Sequence, residues 1–312
     1  MSIAGVDEDL RALPRRRVLT SRRALDVPEL GARVSTYGIL HARYRLHAVE
    51  NRRVVCEDAA LVPAFERCGH GGRPVATLLV DGAARVRAHD KAEDLAPGDV
   101  LAMDAKDAIV MRQEGARYAA LAFEWDPDWL GARPAAFTRA RVDHATLAEL
   151  DAIVLRMAAG ASTAAMVVRV VEVLRAGGVD VRIPSEDECV EEVSDKTAAL
   201  AAALDDMLSN LDEQPMITDL ERRLGVTSRQ VNRIVASYNK RYGFNAVGWS
   251  DARSRRRLFV GFALMTVPGA TAELVAHAVG YRAPSAFSNA LKEAGLTAPS
   301  AVAKAVAALA AR

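Results

Sequence analysis

The chain has 312 residues, 51% of them hydrophobic and 26% charged. This composition buries a core and excludes disordered, collagen-like and disulfide-framework chains, while the length points to two or three domains. The net charge of +1 hides an uneven distribution: 26 basic and 25 acidic residues in 1–184, one lysine against ten acids in 185–214, and 14 basic against five acidic residues in 215–312. A basic terminal region behind an acidic segment is the footprint of a polyanion binder. The three cysteines, Cys56, Cys68 and Cys189, form no CxxC pair, which argues against a zinc finger and for a reducing compartment. No apolar run approaches the ~20 residues of a membrane span, and the opening MSIAGVDEDLRALPRRR lacks the apolar block of a signal peptide. A cytoplasmic chain with no membrane partner is therefore expected.

Residues 1–30 read as a basic arm with Arg15, Arg16, Arg17, Arg22 and Arg23. Such a terminus is usually loosely ordered; the alternative is an arm that touches DNA or the C-terminal domain. From 31 to 135 the chain reads as β. Short apolar or alternating runs (VSTYGILHARYRL, PVATLLVDG, AARVRAH, DVLAMDA, AIVMRQ, YAALAFEW) are separated by turn signals at GHGGRP, Asp81-Gly82, Pro97-Gly98-Asp99 and EGAR. Many short strands at close spacing predict an antiparallel sandwich or barrel. Residues 136–178 switch to helical spacing, with Leu147, Leu150, Val154 and Met157 on one face and Met166, Val170, Val173 and Leu174 on another. These helices are expected to dock on the barrel or to form a dimer face. Residues 179–196, with SEDECVEE, read as an acidic linker of solvated charges rather than a catalytic constellation.

From 197 to 312 the pattern is entirely helical. A helix over 198–211 is followed by Thr218 to Leu224, then Gly225-Val226-Thr227, then a helix from Ser228. The glycine permits the sharp turn, Thr227 caps the next helix, and Val226 and Val231 point inward. This is helix-turn-helix spacing. Its outward positions are Ser228, Arg229, Gln230, Asn232 and Arg233, groups suited to base edges and phosphates. The plan recurs 55 residues later: Thr271 to Val279, Gly280-Tyr281, then Ser285 to Ala294, with Ser285, Ser288, Asn289 and Lys292 outward and Phe287 inward. Between the units a helix pattern over Ala246 to Met265 spans ~30 Å, close to the ~34 Å between successive major grooves on one DNA face. Its Arg253, Arg255, Arg256 and Arg257 read as phosphate partners.

The segments LERRLGVTSRQVNRIV (220–235) and ELVAHAVGYRAPSAFSNALKE (273–293), closing with Pro299, resemble the DNA-binding domain of the AraC/XylS family of bacterial transcription regulators over roughly the last 100 residues. The resemblance implies two helix-turn-helix units flanking a linker helix, and an N-terminal cupin-like domain that binds an effector or dimerises. The stretch LAPGDVL would belong to that barrel. By position, Arg229, Gln230 and Asn232 would face one major groove, Arg233 the backbone, and Ser285, Ser288 and Lys292 the second groove; Gly225, Gly280, Tyr281 and Phe287 would be structural. The chain departs from the family at Asn289, Leu291 and Glu293, where arginine, phenylalanine and arginine are usual, and at Arg282, where a capping Ser or Thr is usual. An arginine lost and an acid gained weaken phosphate attraction, so the second unit is expected to bind less strongly or to serve as packing.

His41, His47, His70 and His89 show no HxH spacing for a metal triad, and GHGGR lacks the strand–helix context of a phosphate cradle. The resulting expectation is an α+β chain: an N-terminal antiparallel, cupin-like β-barrel, helices, then an all-α domain with two helix-turn-helix units joined by a linker helix. It would not be an enzyme and would need no cofactor. Its partners would be double-stranded promoter DNA, a small-molecule effector, RNA polymerase and a second copy of itself. The alternatives are a degenerate helix-turn-helix protein acting through protein contacts and, less favoured, a cupin-type enzyme.

Overall fold

A computed structural model describes residues 15–54, 73–88, 91–103, 109–131, 138–244 and 246–310. Cys56, Cys68, His70 and His89 lie outside the described residues. The main sheet is antiparallel and eight-stranded. It contains β2 (Leu19–Val27), β3 (Ala32–His41), β4 (Tyr44–Arg52), β5 (Val75–Ala88), β6 (Lys91–Leu95), β7 (Asp99–Met103), β8 (Ile109–Trp125) and β9 (Thr138–Arg141), with β1 (Arg15–Arg17) before it. The strand order is β2-β3-β4-β8-β5-β7-β9, and β6 also pairs with β5. The sheet is therefore a bent, open sheet rather than the closed barrel expected.

Two of the expected turns are not turns. Asp81-Gly82 lies inside β5 and EGAR inside β8, so each pair of short strands is one long strand. Between the pairs Asp81↔Ala119 and Ala83↔Glu114, two residues advance on β5 against five on β8. This irregularity, with Gly82 at φ +82, bends both strands without ending their pairing, as bulges do. The Pro97-Gly98-Asp99 turn is present: Gly98 has φ +91, the Asp99 N–H donates to Ala96 O at 2.9 Å, and the Ala96 N–H donates to the buried Asp99 carboxylate at 2.8 Å.

Side-chain alternation gives the sheet two apolar faces. Tyr37, Ile39, Leu46, Leu78, Val100, Leu121, Phe123 and Trp125 point to one face. They are covered by α1 (His144–Ala158) and α2 (Ala164–Ala176), whose Leu150, Val154, Met157, Met166, Val170 and Leu174 join the same core. Asp143 caps α1 by accepting from the Thr146 N–H at 2.7 Å. The helical pair thus docks on the sheet. Val75, Leu79, Leu101, Met103, Tyr118 and Ala120 form a second cluster with the opposite parity.

The expected arm and linker are built into the fold over their described residues. β1 pairs with β10 (Glu191–Val193), matching Arg15 to Val193 and Arg17 to Glu191, and β2 forms the edge of the large sheet. The helices after β10 are α3 (Asp195–Ser209), α4 (Ile217–Leu224), α5 (Ser228–Arg241), α6 (Trp249–Met265), α7 (Ala272–Ala278), α8 (Pro284–Glu293) and α9 (Pro299–Ala310). Their core includes Leu204, Leu220, Val231, Val235, Trp249, Phe262, Val275, Phe287 and Leu291. It continues without a break into Leu19, Leu25, Val27, Val34 and Leu40 of β2 and β3. The helical bundle and the sheet therefore share one apolar seam.

Candidate nucleic-acid interface

The first unit is α4, a glycine turn and α5. Gly225 has φ +66, and both its N–H and that of Val226 donate to Glu221 O, at 2.8 and 3.2 Å. This glycine termination directs the chain sharply into α5. Thr227 and Gln230 form a capping box, with the Thr227 N–H donating to Gln230 Oε1 at 2.9 Å. Val231 and Val235 are fully buried, and Arg229, Asn232 and Arg233 are exposed.

The expected base-reading set does not behave uniformly. Arg229 and Arg233 have no hydrogen-bond or ion-pair partner among the described residues and project from α5 into solvent. Gln230 spends its carbonyl oxygen on the cap of α5. Asn232 accepts from the Trp249 N–H at 3.1 Å, so its oxygen ties the start of α6 to α5. The Ser228 hydroxyl donates to Glu221. Only the two arginines are fully available.

The second unit repeats the geometry. Thr271 caps α7, accepting from the Leu274 N–H at 3.2 Å. Gly280 has φ +77, and the Tyr281 N–H donates to Ala276 O at 2.8 Å. Pro284 opens α8 at its first turn, where its missing N–H has no helical partner to lose. Phe287 is fully buried, as Val231 is in the first unit. Ser285, Asn289 and Lys292 are exposed, while the Ser288 hydroxyl is turned back to Pro284 O at 2.9 Å.

The arginines of α6, expected as phosphate partners, do not form one outward row. Arg256 is buried and points to Arg23 O of β2 at 3.4 Å. Arg257 donates to Val279 O at 2.6 Å and to Gly280 O, and its guanidinium lies 3.8 Å from the centre of the Tyr281 ring. Arg253 donates to Pro215 O at 2.7 Å, and Arg255 pairs with Asp251 at 2.8 Å. The reason is position: α6 is the central helix, so four basic residues within the five positions 253–257 necessarily turn some of them into packed neighbours. Its 17 residues span about 25 Å, less than the ~30 Å expected from sequence.

Contacts that the sequence did not foretell join the end of α5 to the strands. Arg45 of β4 is buried against Glu124 of β8, and its free arm donates to Gly243 O at 2.9 Å, just past α5. Arg45 and Arg23 lie 5.2 and 5.5 Å from the centre of the Phe244 ring. Arg241, at the end of α5, donates to Glu191 of β10 at 2.9 Å. Asp205 of α3 accepts from Ser21 Oγ at 2.7 Å, the Arg22 N–H at 2.7 Å and Arg23 Nε at 2.9 Å. The only advance signal was charge: basic 15–23 and acidic 185–214 are complementary.

Among the described residues, no group of three or more His, Cys, Asp or Glu side chains is arranged to hold a metal ion, and no helix is long and apolar enough to cross a membrane. No family model matches the chain, and no curated protein does. Solved structures similar to it include ToxT from Vibrio cholerae O395, with 10% identity, a TM-score of 0.34, and coverage of 92% of this chain and 96% of that one. A cupin superfamily protein from Desulfitobacterium hafniense has 17% identity, a TM-score of 0.23, and coverage of 30% and 77%. Bacillus subtilis oxalate decarboxylase has 10% identity, a TM-score of 0.25, and coverage of 36% and 29%.

Proposed function

We propose that the chain is a sequence-specific DNA-binding transcription regulator. The observation that carries this is the pair of helix-turn-helix units in one basic domain, each turned at a glycine, with Arg229 and Arg233 unpaired on the exposed face of α5. Arginine is the side chain best suited to guanine in a major groove, and its unpaired guanidinium loses no internal contact on binding. The second unit presents Ser285, Asn289 and Lys292 and adds a weaker, mainly phosphate-directed contact. Promoter DNA is the partner. The sheet domain responds to a small-molecule effector, and contacts with RNA polymerase and a second copy belong to the same proposal.

The ties from Arg45, Arg23 and Glu191 to the end of α5 support a mechanism. An effector alters DNA binding only by favouring one arrangement of sheet and bundle over another. These contacts are those that such a shift would change.

Genomic DNA selection with the full chain at near-physiological salt tests the reading. Enrichment of a short motif with two blocks about one helical turn apart is expected. Arg229→Ala should cost about 1–3 kcal/mol at its preferred base pair and relax selection there. No enriched motif would sink the proposal and favour action through protein contacts; a motif indifferent to Arg229 would move base reading off this face of α5.

A further inference from the structure

Where the two helix-turn-helix units meet, the surface holds a groove of about 390 Å³. Its walls come from the 212–216 segment before α4, from Arg253 and Arg257 of α6, and from Gly280 and Arg282 of the turn before α8. Three guanidiniums therefore converge on one concavity. None of the three has a carboxylate partner among the described residues. Arg253 is held by Pro215 O, Arg257 by Val279 O and Gly280 O, and Arg282 by Gln214 Oε1 at 3.4 Å. Each keeps at least one guanidinium nitrogen without a partner among the described residues. Elsewhere in this chain exposed and half-buried arginines are repeatedly paired with acids, as at Arg117, Arg139, Arg169 and Arg182. Burial, opposed by Tyr281 and aided by Arg253, holds the Arg257 pKa below its ordinary value.

We propose that this groove binds a phosphoryl group, bridging Arg253 on the linker helix and Arg282 on the second unit, with Arg257 supplying field from behind. Arginine's planar fork matches phosphate oxygens in a bidentate way. Asp212 and Glu213 stand exposed on the rim and limit how much negative charge the groove accepts. The phosphoryl group has two sources: a free phosphate-bearing small molecule or the backbone of bound DNA. An occupant touching both Arg253 and Arg282 would restrain the spacing of the two units, and so their fit to two grooves. The DNA source rests on the proposed function; the free-ligand source does not.

Calorimetric titration of the full chain with inorganic pyrophosphate, alongside DNA binding at several salt concentrations, tests the site. For a free ligand, pyrophosphate binds at one site, Arg253→Gln and Arg282→Gln each weaken it about tenfold, as loss of a charge-assisted contact implies, and Glu213→Gln tightens it. For DNA, pyrophosphate does not bind, but Arg282→Gln weakens all DNA sequences alike and reduces the slope of log affinity against log salt by about 0.9. Arg282 is exposed, so this variant folds even if Arg253→Gln does not, and Arg253→Lys retains the charge. If pyrophosphate does not bind and Arg282→Gln leaves affinity and salt slope unchanged, the site is overturned. Motif enrichment in the genomic selection judges the DNA-binding reading separately.

Discussion

Gly280 carries two constraints at once. Its φ of +77 lies in the left-handed region, and a Cβ there would collide with the carbonyl of Leu211, just past the end of α3. Gly280→Ala is therefore expected to cost more than the ~1–2 kcal/mol of the backbone strain alone, read as a melting midpoint lowered by at least ~3 °C. Gly225 has a similar φ of +66 but open space around it, so Gly225→Ala should cost only the strain. Equal losses at the two sites would refute this account. His41 illustrates a different residue-scale effect. It is buried and stacked on Tyr44, with ring centres 4.8 Å apart, and its Nδ1 accepts from the Arg43 N–H at 3.0 Å. Burial, aided by Arg43, Arg241 and Arg73 and opposed by Glu191, holds its pKa below the ordinary value of 6.5. The unfolded chain therefore takes up the proton first, and stability falls as pH drops below about 6.5. His41→Phe keeps the stacked ring and should flatten stability against pH between about 5 and 7; an unchanged profile would assign the effect elsewhere.

At the scale of elements, α6 shows why a basic run is not a basic face. Gly261 lets the Phe287 ring approach to 2.7 Å of where a Cβ would stand, so α8 seats directly against the α6 backbone. The neighbouring arginines then face carbonyls and rings of the elements packed on each side. Strands β4 and β8 meet the end of α5 through Arg45, whose side chain is 4% exposed and that of Glu124 2%. Leaving either charge alone in that setting is costly. Arg45→Met is expected to destabilise by about 3–5 kcal/mol, and the double variant Arg45→Met/Glu124→Leu to recover most of it. Denaturant melts of the two variants check this. A double variant as unstable as the single one would mean that the contacts to Gly243 O and Phe244, not the orphaned charge, dominate.

For the whole molecule, the decisive feature is the apolar seam that runs from Leu25 and Val34 of the sheet into Leu204, Phe262 and Met265 of the bundle. Domains sharing a core of this kind unfold together. Calorimetry is expected to show one transition for the parent chain. Asp205→Ala removes an acceptor that takes three hydrogen bonds from Ser21, Arg22 and Arg23, each worth on the order of 1–3 kcal/mol with a charged partner. It should lower the midpoint and split the transition into two. A parent that already melts in two steps would show that sheet and bundle are thermodynamically separate, and the coupling invoked for effector response would lose its support.

Local rules made the helix-turn-helix units legible from the chain alone. Gly225, Thr227 and Val231, and Gly280, Tyr281 and Phe287, act within about fifteen residues of one another, so turn, cap and inward apolar positions can be read without knowing the rest of the fold. The helices over 144–176 were legible for the same reason, because their apolar spacing follows the helical period. Long-range partnership was not. Whether Asp81-Gly82 ends a strand or bends one depends on β8 lying opposite, and whether the sheet closes depends on pairings far apart in sequence. The destinations of Arg253, Arg256 and Arg257 depend on which elements pack against α6. Charge and hydrophobicity state what a side chain tends to seek, over a few residues in either direction; which of several equivalent acids, carbonyls or rings it meets is decided only when the tertiary fold brings one of them within reach.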